Sequence, residues 1–424
     1  MVVIIGAGIV GAATAYYLST APGQTPITVL DAAGPAAGSS GRAGAFLTDQ
    51  PPAFRRRIGK KTNTVNDKRR VLFEKSFELH QYLAKELKLE SFCRVQNYQA
   101  VETKETESSI DKESISDDKQ QTTLKKIAEN GNGEQLPGNA ALVDPAELVS
   151  AMMDRVLSKS NCSFRQASVS GFEIDPSECR ATAIHFESNG KTGSPKTIEI
   201  EEEETVVIAL GPWSSRIEDW LGIPMPIEGV LSTSLVYQDG IEASDIGSAL
   251  FFDEDSNGCH LEVFGRRDRS LYVSGCGESE VVSTRLLRSK ERPSPTEPCA
   301  PDLARAAAAK DSLHRYGYHQ RANNITTGST CNRHHHQLPD MIQACIRPMS
   351  PDGVPVVGKL LDNVYVATGG GPWGITWGPL MGKSLASLIN DDGDAPIRLG
   401  SLSPKRFDTM VYRSLQKSRS SEDR

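Results

Sequence analysis

The chain has 424 residues, and at roughly 150 residues per domain this length predicts two or three folded units. Hydrophobic residues make up 38% of the chain and glycines number 36, so most of the chain can bury a core, and wholesale disorder is excluded. The net charge of −7 argues against a protein whose main task is to neutralise nucleic-acid phosphates.

The cysteines and the two ends of the chain indicate where in the cell the protein is expected. The eight cysteines include no C-x-x-C pair, which favours reduced thiols. A candidate strand begins directly after Met1, no apolar run reaches the roughly 18 residues that span a bilayer, and the C-terminus is not a peroxisomal Ser-Lys-Leu signal. We therefore expect a cytoplasmic protein without a transmembrane segment, with peripheral attachment to an organelle as the alternative.

The N-terminal segment predicts a β-α-β unit. Apolar residues at 2–5 are followed by glycines, a helical pattern at 12–18 and a second apolar run at 27–30. This order predicts parallel strands joined by a right-handed crossover. A loop rich in Gly, Ala and Ser is expected at 33–45, and apolar residues at helical spacing from 72 to 87 predict an amphipathic helix.

The middle and C-terminal segments add further elements. The polar stretch 104–135 is too poor in apolar side chains to order itself and predicts a flexible insertion. A helix is predicted at 145–157, and β-prone segments without a long helix between 229 and 277 predict an antiparallel sheet. The remaining expectations are a hairpin at 169–174 and 181–186, a buried parallel strand at 205–210, a linker at 289–301, a short helix at 303–310, a strand at 364–368 and a helix at about 378–389.

The strongest local motif is a glycine fingerprint directly after the first strand. Its residues are Gly6, Ala7, Gly8, Ile9, Val10 and Gly11. Glycines at these spacings permit a tight turn, approach to a pyrophosphate and close helix packing, and Asp31 at the end of the second strand fits a ribose. Because NAD and FAD share this cradle, the fingerprint by itself leaves both cofactors open.

Five blocks in chain order resemble a known family. They read Gly-Ala-Gly-Ile-Val-Gly at 6–11, Gly-Ser-Ser-Gly-Arg-Ala-Gly at 38–44, Ala-Leu-Gly-Pro-Trp at 209–213, Arg-Pro-Met-Ser-Pro-Asp-Gly at 347–353 and Gly-Gly-Gly-Pro-Trp-Gly-Ile-Thr at 369–376. Together they resemble the FAD-dependent oxidoreductases of the D-amino-acid oxidase, glycine oxidase and sarcosine oxidase superfamily. The segment 260–276 looks like that of a fungal-type branch, whereas 104–135 and 311–338 have no counterpart.

The resemblance implies an α/β fold with two domains. A discontinuous, Rossmann-like FAD-binding domain would comprise 1–60, 140–225 and 340–395. An antiparallel β-sheet substrate or cap domain, with connecting helices, would comprise 61–103 and 226–339. The segment 104–135 would be an insertion and 396–424 a C-terminal tail.

The resemblance also implies which residues hold FAD. Ser39, Ser40, Arg42 and Ala43 would lie along the pyrophosphate and flavin, and the Val169 backbone would face the adenine. The loop containing Ala209, Gly211 and Trp213 would close over the cofactor. Exposed loop charge for Arg42 and core packing for Trp213 remain alternatives.

The late glycine block has a physical rationale of its own. Backbone N–H groups at the start of a helix are suited to stabilise the negative charge of a reduced flavin. The residues at this position are Gly370, Gly371, Gly374, Ile375 and Thr376.

The resemblance assigns catalysis to Arg347 and Gly374. Arg347 would pair with a substrate carboxylate, hydride would pass to flavin N5, and the flavin would be reoxidised by oxygen or another acceptor. Cys345 is a candidate for covalent flavin attachment, but a buried, unreactive thiol is favoured. Tyr272, His260 and Tyr237 are weaker candidates for lining the substrate pocket.

No metal is expected. Cys331 with His334, His335 and His336 predicts a polar loop, because adjacent histidines point in different directions. The expected function is oxidation of a C–N bond in a small amine or amino acid. An NAD-dependent dehydrogenase and a catalytically silent flavin-binding interaction protein are the alternatives.

Overall fold

The computed structural model describes residues 1–23, 25–50, 67–101, 123–188, 195–289, 296–318, 338–391, 393 and 395–407. The strands are β1 (Val2–Ile5), β2 (Ile27–Asp31), β3 (Phe46–Thr48), β4 (Cys93–Arg94), β5 (Asn97–Val101), β6 (Glu134–Gln135), β7 (Ala140–Leu142), β8 (Cys162–Asp175), β9 (Arg180–Ser188), β10 (Lys196–Glu199), β11 (Thr205–Ile208), β12 (Glu228–Tyr237), β13 (Ser248–Phe252), β14 (Glu262–Gly265), β15 (Leu271–Ser274), β16 (Glu280–Val282), β17 (Met341–Met349), β18 (Val356–Leu361) and β19 (Val364–Thr368). The helices are α1 (Ile9–Thr20), α2 (Ser39–Arg42), α3 (Asp67–Glu86), α4 (Leu124–Asn130), α5 (Pro145–Leu157), α6 (Ile217–Leu221), α7 (Thr284–Arg288), α8 (Leu303–Arg315) and α9 (Gly374–Asn390).

The first sheet confirms the predicted α/β fold. Its order is β10-β9-β8-β2-β1-β11-β19-β18. The central pairs β8–β2, β2–β1, β1–β11 and β11–β19 are parallel, and the outer pairs are antiparallel. Short apolar strands such as β1 sit at the centre because both faces of a parallel sheet are covered.

Alternating side chains of β1 enter two different hydrophobic clusters. Val2 and Ile4 pack with the layer formed by α1, α3, α5 and α9. Val3 and Ile5 pack on the opposite face with residues of β8, β9 and α6. The period of two in a strand therefore divides the core between the two faces of the sheet.

Helix α9 packs closely against α1. A Cβ atom on Gly378 would lie 2.7 Å from the Ile9 side chain, and one on Gly382 would lie 2.6 Å from Ala13 Cβ. The two glycines, one helical turn apart, allow this close approach. Helix α9 begins at Gly374, earlier than the predicted start at about 378.

Helix α3 belongs to the helical layer of the first sheet. Phe73 is buried there, with its ring 4.9 Å from Trp373 and 5.3 Å from Trp377, centroid to centroid. Within the segment 61–103 this helix is therefore a connecting helix, and its apolar face packs against α9.

The second sheet confirms the predicted antiparallel segment between 229 and 277 and extends it. Its order is β16-β12-β15-β14-β13-β5-β6, and β17 also pairs with β12. Apart from the parallel pair β13–β5, its pairs are antiparallel. The predicted boundary at residue 340 is corrected, because β17 pairs with β12 from Met341 to Met349. A small third sheet has the order β3-β7-β4.

Part of the predicted flexible insertion is folded. Residues 123–135 contain α4, whose Leu124, Ile127 and Ala128 side chains are buried in the core of the second sheet. The Leu124 N–H donates to the Asp245 carboxylate at 3.1 Å. Few apolar residues suffice here because they are grouped on one helix face; residues 104–122 lie outside the described part of the chain.

Three further sequence expectations are corrected. The loop predicted at 33–45 contains α2, and the helix predicted at 303–310 continues to Arg315. The first part of the predicted C-terminal tail packs onto the core of the first sheet, because Phe407 is fully buried in the same cluster as Val356.

Within the described residues, no helix combines the length and the apolarity that crossing a bilayer requires.

Candidate active site

A cavity lies between the first sheet and the second. One wall is formed by the start of α1 and the loops that follow β1, β2, β11 and β19. The opposite wall is the face of the second sheet formed by β12, β13, β14, β15 and β17. The carboxyl ends of parallel strands are where open α/β sheets bind ligands, so the fold itself positions this site.

The glycine fingerprint forms the turn at one end of the cavity. Gly6 has φ +109°, and a Cβ atom there would lie 2.2 Å from the Ala209 carbonyl oxygen. A Cβ atom on Gly11 would lie 1.8 Å from the Gly6 carbonyl oxygen. Only glycine fits at either place, and the start of α1 therefore approaches the cavity, with Gly8 in its wall.

Asp31 ends β2 beside this turn. One carboxylate oxygen accepts the Ala7 N–H at 2.7 Å. The other accepts the N–H groups of Ala33 and Gly34 at 2.8 and 2.7 Å. These bonds fix the carboxylate in the cavity wall, where further lone pairs are available to a ribose hydroxyl.

The late glycine block lines the middle of the cavity at the start of α9. The first N–H groups of an α-helix have no intrahelical acceptors, and no side chain caps this helix end. A Cβ atom on Gly374 would meet nothing within 4 Å. The residues of this block in the cavity wall are Gly370, Gly371, Gly374, Ile375 and Thr376.

Arg347 projects from β17 into the same cavity. Its backbone pairs with Val230 on β12, and its side chain is half-buried. Within the described residues, no hydrogen bond or ion pair engages its guanidinium. The cavity therefore brings together a dinucleotide turn, a helix N-terminus and an unpaired arginine.

Comparison with known proteins identifies the family. The sequence model described as "FAD dependent oxidoreductase" (DAO) matches residues 1–388. The chain belongs to this family. FAD is accordingly its cofactor.

Similar individual proteins agree with this assignment. "Putative oxidoreductase C1F5.03c" of Schizosaccharomyces pombe is 26% identical over 95% of this chain and 97% of its own length, which supports the resemblance to the fungal-type branch. The L-proline dehydrogenase of P. horikoshii has a TM-score of 0.65 at 17% identity, covering 96% of this chain and 97% of that chain. Glycine oxidase of Geobacillus kaustophilus has a TM-score of 0.62 at 18% identity, covering 95% and 97%. Both structures show the same fold.

The residues present fit an FAD of this oxidoreductase family. Space beside Gly374, which any side chain would fill, is left for a flat ring next to the start of α9. Ser40 lies where the dinucleotide turn meets α2, and its Oγ accepts the Ile9 N–H at 3.0 Å. Ser39 and Ala43 also line the cavity, whereas the Arg42 side chain does not. Arg42 contributes its carbonyl, which accepts from Tyr272 Oη at 3.1 Å.

A smaller cavity adjoins the main one. Val169, whose backbone is predicted to face the adenine, lies in its wall together with Asp31 and Trp213. Ala209, Gly211 and Trp213 line the main cavity as well. Ala7 and Gly11 lie outside both linings, because they serve the turn and the helix packing.

A buried histidine holds the start of α9. His80 on α3 lies 3.0 Å from both the Ile375 and the Thr376 carbonyl oxygens through Nε2. Both partners are acceptors, so Nε2 carries the proton. Pro379 lies inside α9 and has no N–H to offer the Ile375 carbonyl, and His80 supplies the missing donor. Burial lowers the pKa of His80 to about 4, so the ring is neutral at physiological pH.

The second sheet contributes residues that the sequence did not single out. Glu262, Phe264 and Phe251 line the cavity together with the predicted Tyr272. The ring of Phe264 stacks on that of Tyr272 with centroids 6.1 Å apart. Burial raises the pKa of Tyr272 to about 12, which keeps its hydroxyl protonated. Period-two alternation assigns Glu262 and Phe264 to one face of β14, but only the pairing of β14 with β15 shows that this face is the one that carries Tyr272.

Two of the weaker predictions are wrong. His260 precedes β14 and is exposed, outside the cavity. Tyr237 is buried in the core on the other face of the second sheet. Both errors arise because alternation along a strand does not reveal which face meets the cofactor or where pairing begins.

Cys345 is a buried thiol in the cavity wall. Burial raises its pKa, opposed by the charges of Arg347 and Arg42. Non-covalent flavin stays a prediction. The described ranges hold no group of three or more metal-ligating side chains. Cys331 and the neighbouring histidines lie outside them.

Proposed function

We propose that this family member oxidises a carbon–nitrogen bond of a small amine or amino acid and passes the electrons through FAD to oxygen or another acceptor. The unpaired Arg347 in the wall of the cavity is the observation that carries this proposal. The amino-acid substrates in the names of the similar solved structures support it.

Arg347 has the chemistry to hold a carboxylate. A planar guanidinium forms two parallel hydrogen bonds to a carboxylate and so fixes both its position and its orientation. No ion pair among the described residues competes for this arginine. Bound FAD supplies the two-electron acceptor for a hydride from the substrate.

The other cavity residues exclude water and position charge. Phe46, Phe251 and Phe264 form an aromatic cluster along the wall, with ring centroids 5.1 to 5.7 Å apart. Such a wall lowers the local dielectric and strengthens the arginine–carboxylate attraction. The first turn of α9 has no capping side chain, so its N–H groups are available to stabilise negative charge at this end of the helix.

The test is anaerobic reduction of the purified holoprotein by a panel of amino acids and secondary amines, followed between 300 and 550 nm. We expect the flavin bands to bleach with at least one compound. Arg347→Ala is then expected to weaken binding of a carboxylate substrate by roughly 30-fold or more, about 2 kcal/mol.

A matched control is the decarboxylated analogue of the same substrate. Its weaker binding is expected to be unchanged by Arg347→Ala, because the lost contact is to the carboxylate. Equal losses for both compounds would contradict the role given to Arg347. Flavin bands that no compound bleaches would favour a catalytically silent flavin-binding protein, whereas NAD-linked activity in a colourless protein would favour the dehydrogenase alternative.

A further inference from the structure

An acidic residue faces the cavity from the second sheet, away from Arg347. Glu262 on β14 pairs with Ser274 on β15 and with Phe251 on β13. All three side chains line the cavity. Directly paired residues share a face of a sheet, so this group belongs to the wall that covers the site.

The Glu262 carboxylate is anchored but has no cationic partner. Its Oε2 atom accepts a hydrogen bond from Ser274 Oγ at 3.0 Å. Throughout the described ranges, no basic side chain forms an ion pair with it. Because this carboxylate is half-buried, the group that stabilises it most is a cation that also donates a hydrogen bond to it.

Aromatic rings flank this carboxylate. Phe251 lies beside it on the neighbouring strand and Phe264 two residues along its own strand, with ring centroids 5.7 Å apart. Both rings are buried, and that of Phe264 stacks on Phe46 and on Tyr272, so they exclude water from the carboxylate rather than present a free face. Weak screening by water strengthens the attraction of this carboxylate for an ammonium or guanidinium group. We call Glu262, Phe251 and Phe264 the cation niche.

The cation niche and Arg347 lie at opposite parts of the wall. The register places Glu262 in one row with Ser274, Ser234 and, on β17, Gln343. Three strand spacings separate the ends of this row by about 14 Å, and Arg347 lies four residues, about 13 Å, further along β17. A substrate as small as glycine is too short to contact both groups.

We propose that the cation niche binds a positive group at the distal end of the substrate, so that amino acids whose side chain ends in an ammonium or guanidinium are preferred. This inference rests on the proposed function, in which Arg347 binds the α-carboxylate. The two charged residues then select a zwitterion with an additional, remote cation.

The test compares matched compounds on the holoenzyme. Both enantiomers of lysine and of its uncharged analogue norleucine are added anaerobically to wild type, Glu262→Gln and Glu280→Gln. Glu280 is an exposed acid on β16 of the same sheet and lies outside the cavity, so its variant is the control.

Lysine is expected to bind wild type about tenfold more tightly than norleucine, because one charge-assisted hydrogen bond contributes about that factor to the affinity. Glu262→Gln is expected to remove this preference by weakening lysine binding, with norleucine unchanged; Glu280→Gln is expected to preserve it. Equal binding of the two compounds by wild type, or equal losses for both in Glu262→Gln, would overturn the inference.

Failure of the proposed function is distinguishable from failure of this inference. The dissociation constant is also read from the shift of the flavin absorbance spectrum on ligand binding, which needs no turnover. If no amine reduces the flavin, the proposed function fails, and a lysine preference that depends on Glu262 still supports the cation niche. If norleucine reduces the flavin as readily as lysine with the same affinity, the function stands and the niche fails.

Discussion

His80 illustrates how one buried side chain links two distant segments. It lies on α3, is 1% exposed and donates to carbonyls 295 and 296 residues further along the chain. Nε2 can donate in both the neutral and the charged ring, but a charged ring at this depth is strongly disfavoured. His80 therefore makes the stability of the protein dependent on pH.

We expect the free energy of unfolding to fall below neutral pH in a way that depends on His80. The pKa is about 4 in the folded chain and near 6.5 in the unfolded chain, so the unfolded chain binds more protons between these values. Stability is lost as pH falls through this window, by about 2 kcal/mol from pH 7 to pH 5. Urea unfolding of the apoprotein at both pH values measures this.

The control is His80→Gln, which retains an N–H donor without a titrating ring. Its loss of stability over the same interval is expected to be smaller than that of wild type by about the same 2 kcal/mol. An identical pH dependence in wild type and variant would show that His80 titrates normally in the folded chain.

Single residues also show which parts of the cavity wall a sequence motif can locate. Arg347 and Asp31 were identifiable because each lies in a motif of fixed spacing beside a recognisable strand. Glu262 was not, because His260, Glu262 and Phe264 have the same parity, and only the tertiary structure shows that β14 begins at Glu262 and leaves His260 outside the cavity.

At the scale of elements, α9 combines a binding end with a packing face. Gly374 at its start has open space where a side chain would extend. A Cβ atom on Gly378, one turn later, would lie 2.7 Å from the Ile9 side chain on α1. The two glycines therefore serve different purposes although they look alike in the sequence.

We expect substitutions at these two glycines to have opposite consequences. Gly374→Val is expected to leave the unfolding free energy of the apoprotein within about 1 kcal/mol of wild type. It is also expected to weaken FAD binding at least about tenfold, because the valine enters the cofactor space. Gly378→Ala is expected to destabilise the apoprotein by about 1 to 3 kcal/mol through overpacking against Ile9.

Denaturant unfolding of the apoproteins and fluorescence titration with FAD measure the two effects separately. Loss of apoprotein stability in Gly374→Val together with normal FAD affinity would contradict the placement of the flavin beside this residue.

The start of α9 was predicted too late for a reason that lies outside the helix. Gly374 and Pro379 both disfavour helix in the sequence. In the folded chain, His80 donates to the Ile375 carbonyl and Thr376 Oγ1 donates to the Phe46 carbonyl at 3.2 Å. These tertiary hydrogen bonds outweigh the local preference.

At the scale of the whole molecule, the cavity is shared between the two sheets. The first sheet provides one wall and the second sheet provides the other. Strand β17, on which Arg347 lies, contacts both: it pairs with β12 of the second sheet, and Met349 at its end forms a β-bridge with Gly370 in the loop after β19. A ligand in this cavity contacts residues from both parts of the fold.

We therefore expect FAD to stabilise the protein as a unit. At a free concentration 100 times the dissociation constant, binding to the folded state alone adds about 2.7 kcal/mol to the free energy of unfolding. Thermal unfolding of apoprotein titrated with FAD measures the effect. NAD at the same concentrations is the control and is expected to leave the unfolding temperature unchanged; stabilisation by NAD instead of FAD would contradict the cofactor geometry.

The sequence by itself determined the dinucleotide fold, and the five blocks that resemble the family indicated FAD and most of the residues that line the cavity. The fold follows from short-range patterns: apolar periodicity selects strand or helix, and glycine is required where Gly6 and Gly11 leave no room for a Cβ atom. Tertiary structure decided which strand face lines the cavity, where α9 begins and how α4 packs. Those outcomes depend on contacts between residues far apart in the chain, such as His80 with Ile375 and Leu124 with Asp245, which no local pattern encodes.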